Sequence, residues 1–224
     1  MLIHLKNVLG SRDIEQVHSL LAQADFVDGK LSAGMAAAGQ KNNQEVSAQQ
    51  TDLLAQLNQT VMGNLVRHKH YQRAALPLKV ASPFYASYQV GMAYGEHIDD
   101  PVMGEQPRYR SDLAITVFLN SPEDYDGGEL EIQTPFGLQT IKLPAGDAIL
   151  YPATTRHAVT PVTRGERLVA VTWVQSLIKD NDQRHLLYEL GTARAQLLRK
   201  QPAEEHTKQV DWAYVNLVRR WSDC

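Results

Sequence analysis

The sequence predicts an α+β protein in which an antiparallel β core lies between two helical ends. Three observations carry this. Apolar residues recur at helical spacing before about residue 70 and after about residue 180, and between them they alternate with period two. Turn residues cut the alternating part into short strands.

Taken in order, Ser11 reads as the N-cap of a first helix. Asp13 and Glu15 fall in its first turn, and Ile14, Val17, Leu20 and Leu21 form a stripe that ends near Ala24. A polar stretch follows, containing KNNQE from Lys41. A second helix is predicted from Ser47 to Arg67, with Leu53, Leu57, Val61 and Leu65 at spacing four. His68 and His70 read as solvated cations at its C-terminal end. From about Val80 the period becomes two: Leu113, Ile115, Val117 and Leu119, then Leu130 and Ile132, Ala148 and Leu150, and Leu168, Ala170, Thr172 and Val174. Turn signals such as Asp126-Gly127-Gly128 and Pro144-Ala145-Gly146 separate these runs, which predicts a sandwich or barrel. Beyond Ile178, Leu186, Leu190, Ala193 and Leu197 form one helical stripe, closed by Pro202. Val210, Tyr214, Leu217 and Trp221 form another. The chain thus divides into a domain over 1–178, with its β core at about 80–178, and a helical extension over 179–224. That extension would pack on the sheet or on a second subunit as a homo-oligomer contact.

Composition narrows the function. A chain of 224 residues can bury a core without covalent staples. The net charge of −3 gives no electrostatic case for nucleic acid or an anionic membrane. The single cysteine, Cys224, reads as a solvated terminal thiol. No run approaches ~20 apolar residues, so no membrane span is expected. A reducing, cytoplasmic setting fits these features.

His97 and Asp99 stand in YGEHIDDP. In extended chain, residues two apart face one side, so an imidazole and a carboxylate converge. His157, in PATTRHAVTPV, comes sixty residues later and could complete the set from a returning strand. Two histidines and a carboxylate on one face form the ligand set of mononuclear iron(II) oxygenases. A His-x-Asp pair alone is a weak signal: Asp99-Asp100-Pro101 also suits a surface turn, and a single histidine is commonly a hydrogen-bonded strand residue. Imidazole ligation predicts a metal affinity that falls through the histidine pH range. Arg167 opens RLVAVTWVQ and shares parity with Val169, Val171 and Trp173. A guanidinium on an apolar face is costly unless it meets an anion, although one at a strand end can snorkel to water. Trp173 reads as core. The polar segment 101–110 reads equally as a mobile lid or an ordinary loop.

The runs YQVGMAYGEHID, FLNSPEDYDGGELEI and LPAGDAILYPATTRHAVTPVTRGERLVAVTW, between Tyr88 and Gln175, resemble the iron(II)/2-oxoglutarate dioxygenases of the prolyl and lysyl hydroxylase type, and within them the bacterial PKHD-type hydroxylases. The resemblance covers about two fifths of the chain. The KNNQE run and the helical tail are similar to the bacterial subgroup, less specifically. The resemblance implies a double-stranded β-helix (jelly-roll) core. It implies that His97, Asp99 and His157 bind iron(II), that Arg167 anchors the distal carboxylate of 2-oxoglutarate, and that Tyr88 contacts this co-substrate. It implies hydroxylation of a C–H bond with release of succinate and carbon dioxide, with L-ascorbate as reductant. Phe118 stands near where some relatives carry a second tyrosine for that carboxylate; phenylalanine cannot donate, so that contact is missing or comes from elsewhere. The substrate, a small molecule or a peptidyl side chain, is not legible. Two other readings remain: a metal-dependent barrel enzyme of other chemistry, and a non-catalytic cupin-like binding module. Arg167 argues against the first and the triad against the second.

Overall fold

The computed structural model describes residues 1–32, 34 and 39–223; the reading of Cys224 lies outside these. Two antiparallel sheets face each other as a jelly roll. The major sheet runs in the order Ile3–Leu5, Ala148–Pro152, Leu113–Phe118, Arg167–Ser176, Phe84–Tyr88, Gln44–Val46, Phe26–Asp28, and Pro77–Val80 pairs with the far end of Arg167–Ser176. The minor sheet runs Gly137–Ile141, Leu130–Thr134, His157–Val159, Ala93–His97, Lys41–Asn42.

Strand parity sorts the side chains into two apolar layers. Leu113, Ile115 and Val117 point out of the roll and pack with Leu57, Val61, Leu65 and Tyr71 of the helical layer. Ala114 and Phe118 point between the sheets, where they join Ile132, Tyr151 and Val169. Leu113–Phe118 is therefore buried on both faces, with Leu113, Ile115 and Val117 serving the helices and Phe118 the interior of the roll. Space inside the roll is left to smaller and functional side chains. Arg167, Val169, Val171 and Trp173 share the inner side, as their parity predicts. The Asp126-Gly127-Gly128 turn carries φ of 70° and 65° at its glycines, a backbone that L side chains rarely adopt. A Cβ on Gly127 would also lie 2.0 Å from the Pro161 carbonyl oxygen.

Helix α1 spans Ser11–Leu21, α2 Thr51–Leu65, α3 Lys69–Ala75, α4 Asn181–Lys200 and α5 Glu205–Trp221. Four expectations are corrected at helix ends. Gly10, not Ser11, is the N-cap of α1, because Asp13 reaches back to accept from the Gly10 N–H at 2.9 Å. That helix closes at Leu21, where Ala22 is already its C-cap. Helix α2 begins four residues later than predicted, since residues 47–50 turn and Gln50 bonds Asp25 instead. His68 does not end a helix. It caps the start of α3, its Nδ1 accepting from the Tyr71 N–H. The segment 101–110 is a hairpin of Val102–Met103 and Tyr109–Arg110.

Helix α4 packs on α3 and buries Leu187 completely, while its neighbour Leu186 is 62% exposed. Asp180 caps α4 by accepting from the Asp182 and Gln183 N–H groups. Truncating Leu187 to alanine is expected to destabilise the fold by ~2–5 kcal/mol, against less than ~0.5 kcal/mol for Leu186→Ala. Urea midpoints of the two variants measure the difference; equal shifts would contradict this docking of α4.

Candidate metal centre and buried arginine

The centre is assembled across one strand pair. His97 ends Ala93–His97, His157 opens His157–Val159, and the two are register partners, so both imidazoles leave the sheet side by side. Their ring centroids lie 4.2 Å apart. Asp99, two residues past His97, brings Oδ1 to 3.8 Å from His157 Nε2. One ligand atom from each of the three residues lies within 4.8 Å of the others.

Each imidazole is oriented by backbone. His97 Nδ1 lies 2.8 Å from the Gly95 carbonyl oxygen, and His157 Nδ1 lies 2.9 Å from that of Thr155. A carbonyl only accepts, so both Nδ1 atoms carry the proton and both Nε2 atoms present a lone pair, the arrangement a metal ligand needs. Tyr94 stacks on the His97 ring at 3.7 Å, and Tyr151 meets His157 edge-on at 5.2 Å. Burial, reinforced by neighbouring His157, pushes His97 down to about 4, and burial lowers His157 as well. Both rings are therefore neutral at ordinary pH. Burial raises Asp99 to about 6, and the Trp173 indole offsets part of that. Asp99 Oδ2 and Trp173 Nε1 are both buried without completing a hydrogen bond, so this end of the carboxylate keeps a free acceptor. Trp173 thus borders the centre; the expectation that it only fills core is corrected.

Arg167 is the second feature. Its side chain is 1% exposed, and it stands opposite Tyr88 in the major sheet. The guanidinium lies 4.9 Å from the Tyr88 ring centroid and 5.7 Å from that of Phe118. Among the described residues no carboxylate forms an ion pair with it, and its Nε has no partner. A buried cation without an anion is a strongly unfavourable state, so the pocket is built to receive one. Phe118 offers this cation only a ring face. The Tyr125 hydroxyl, whose pKa burial pushes up while nearby Arg167 offsets part of the rise, is the polar group on that side.

A cavity of about 640 Å³ joins the triad, Arg167 and Tyr88. Met103 and Tyr109 of the 101–110 hairpin form part of its wall. So do Lys41, Asn43 and Glu45, which sequence reasoning missed as site residues. The one available signal was the K-x-N-x-E alternation, and it is polar throughout.

A jelly roll that presents two imidazoles and a carboxylate beside an unpaired buried guanidinium is the architecture of an oxygenase that uses a metal and a 2-oxo dicarboxylic acid. The model of the 2OG-Fe(II) oxygenase superfamily matches residues 83–175, which include all of these groups. The chain belongs to the PKHD-type hydroxylases, iron(II)- and 2-oxoglutarate-dependent dioxygenases: it is 46% identical over 224 residues to a PKHD-type hydroxylase of Thioalkalivibrio sulfidiphilus, spanning all of both chains. It is 40% identical over 226 residues to the PKHD-type hydroxylase PiuC of Pseudomonas aeruginosa, again over both full lengths. Among solved structures, a Trichoplax adhaerens prolyl hydroxylase in complex with a hypoxia inducible factor peptide shares the fold. Its TM-score is 0.56 at 18% identity, over 83% of this chain and 86% of that one. The epimerase SnoN of nogalamycin biosynthesis does so at 0.54 and 16%, over 79% and 77%.

The titration order of the centre has a consequence for metal uptake. Because the imidazoles are already neutral, the proton that competes with the metal is that of Asp99. Affinity for iron(II) is expected to be flat above about pH 7. It should fall by up to about tenfold per pH unit once Asp99 protonates, below about 6. One proton, not three, then competes with the metal. Anaerobic titrations at several pH values measure it, and a loss steeper than about tenfold per unit between pH 5 and 6 would show that imidazole protons compete as well.

Proposed function

We propose that His97, Asp99 and His157 hold one iron(II), and that Arg167 and Tyr88 receive the distal carboxylate end of 2-oxoglutarate. The observation that carries this is the buried, carboxylate-free guanidinium of Arg167 on the cavity that also holds the triad. When bound, the metal and co-substrate supply the oxidising power, and 2-oxoglutarate leaves as succinate and carbon dioxide. The chain's own groups do the rest. The Gly95 and Thr155 carbonyls fix the imidazoles, Asp99 supplies one negative charge, and Arg167 orients the co-substrate by a planar fork of donors. The surrounding rings of Tyr88, Tyr94, Phe118 and Tyr151 exclude water from the reacting region.

In this reading residues 1–178 form the dioxygenase domain and 179–224 the helical extension. The substrate that loses a C–H bond to hydroxylation is a small molecule or a peptidyl side chain. The net charge of −3 supports a partner list without nucleic acid. No helix among the described residues is long and apolar enough to cross a membrane. The single cysteine and the need for ferrous iron support a cytoplasmic setting. Ascorbate as reductant rests on the family resemblance. Self-association, if it occurs, has the exposed Leu186 and Trp212 of α4 and α5 to work with.

Arg167→Lys keeps the charge and removes the fork. Losing one bond to a charged group, worth ~1.5–3 kcal/mol, is expected to weaken 2-oxoglutarate binding roughly 10- to 100-fold. Iron affinity should change little, since arginine is not a ligand. The measurement is an anaerobic titration of the iron-loaded protein, followed by its visible charge-transfer band. Pyruvate, which lacks the distal carboxylate, should bind the wild type poorly and the variant about as poorly. An unchanged preference for 2-oxoglutarate would place the anchor elsewhere.

A further inference from the structure

The cavity wall holds a second set of buried polar groups. Lys41, Asn43 and Glu45 are alternate residues of one extended run, so their side chains share a side. They are 7%, 3% and 6% exposed, and all three line the cavity. Lys41–Asn42 pairs with the strand of His97, and Gln44–Val46 pairs with the strand of Tyr88. The run therefore bridges the two sheets at the site. Lys41 Nζ donates to Glu45 Oε1 at 2.5 Å and to Ser32 Oγ at 2.7 Å. It lies 5.5 Å from the ring centroid of Tyr94, the residue stacked on His97. Asn43 Oδ1 is buried with no hydrogen-bond partner.

A buried ion pair is a poor way to tie strands together, because two apolar residues of similar volume would do so without the desolvation cost. Its value on a cavity wall is discrimination. An anion arriving at Lys41 alone would strand Glu45, and a cation arriving at Glu45 alone would strand Lys41. A ligand with both charges can exchange partners with the pair and leave no buried charge unmatched.

We propose that Lys41, Asn43 and Glu45 are the recognition site for the primary substrate and that they take a zwitterionic head group, an ammonium and a carboxylate on one carbon, as in free α-amino acids. The carboxylate sits at Lys41, and the ammonium donates to Glu45. The rest of the substrate lies along Phe84, Tyr94 and Trp173 toward the triad. This deepens the oxygenase reading of the cavity and rests on it.

The test uses wild-type protein loaded anaerobically with iron(II) and 2-oxoglutarate. It is titrated calorimetrically with the proteinogenic L-amino acids, each beside the amine lacking its carboxylate and the acid lacking its amine. At least one amino acid is expected to bind, with both of its singly charged analogues weaker by about 10- to 100-fold. Glu45→Gln should narrow the gap between that amino acid and its acid, and Lys41→Met the gap between it and its amine. Iron and 2-oxoglutarate uptake is measured for each variant first, and amino-acid binding is compared between proteins loaded to the same extent. No binding by any amino acid, or equal binding of the analogues to the wild type, overturns the proposal even if the variants do not fold. Variants that fold but weaken all three compounds alike also overturn it, since they would reduce the pair to a structural tie. Intact 2-oxoglutarate uptake with no amino-acid binding refutes this inference alone, whereas failed uptake refutes the oxygenase reading beneath it.

Discussion

The pairing of His157 with His97 across two antiparallel strands is the constraint on which the site depends. Register in a sheet is quantised: a slip of one residue turns a side chain to the opposite face. Either both imidazoles enter the roll together or the centre does not exist. The register is held from several sides. Leu130–Thr134 pairs with His157–Val159 on the other edge, and Lys41–Asn42 pairs with Ala93–His97. The irregular pairing between His157 and Val159 occurs beside the ligand itself, where a local re-aiming of the side chain is useful. Asp99 then needs no strand partner of its own. Its position two residues beyond His97 delivers the carboxylate once the imidazole is placed.

Around that centre the protein manages buried charge in two different ways. Arg167 is enclosed by aromatic faces and pairs with no carboxylate among the described residues, so an incoming carboxylate would relieve an existing penalty. Lys41 and Glu45 are enclosed but matched to each other. The first arrangement draws in a dianionic acid. The second is neutral as a whole and attracts no simple ion. A second anion at Lys41 would have to displace Glu45 from it.

How much of this was legible in the sequence depends on whether apolar period or polar identity carried the information. The strands Leu113–Phe118 and Arg167–Ser176 were visible because they are long and apolar on alternate positions, and their parity correctly put Arg167 inside. Helices α4 and α5 were visible for the same reason at the helical period. The triad was legible only as a pattern of types, and the family resemblance joined it. The strands Lys41–Asn42 and Gln44–Val46 were not legible. They are two and three residues long, and their inward residues are Lys41, Asn43 and Glu45, so no hydrophobic alternation marks them. Helix α3 was hidden because its seven residues follow directly on α2, and His68 at the junction looked like an end rather than a beginning. Trp173 shared the apolar parity of its strand and so read as packing. Its place on the cavity wall and its effect on Asp99 give it a second role.

The two kinds of legibility map onto two functions of the chain. The segment 83–175, matched by the superfamily model, contains His97, Asp99, His157, Arg167 and Tyr88, the groups proposed to hold the metal and the co-substrate. The wall formed by Lys41, Asn43 and Glu45 lies outside it, supplied by an N-terminal run that adds one short strand to each sheet. This division follows from mechanics. Metal ligands must be held within fractions of an ångström, and the long paired strands of the core provide that rigidity. A recognition wall need only present the right charges at the right side, which a short run can do once its backbone is hydrogen-bonded to both sheets. Such a run can also change its side chains without disturbing the register that places His157 against His97. The core can therefore keep one reaction while the short strands determine which molecule undergoes it.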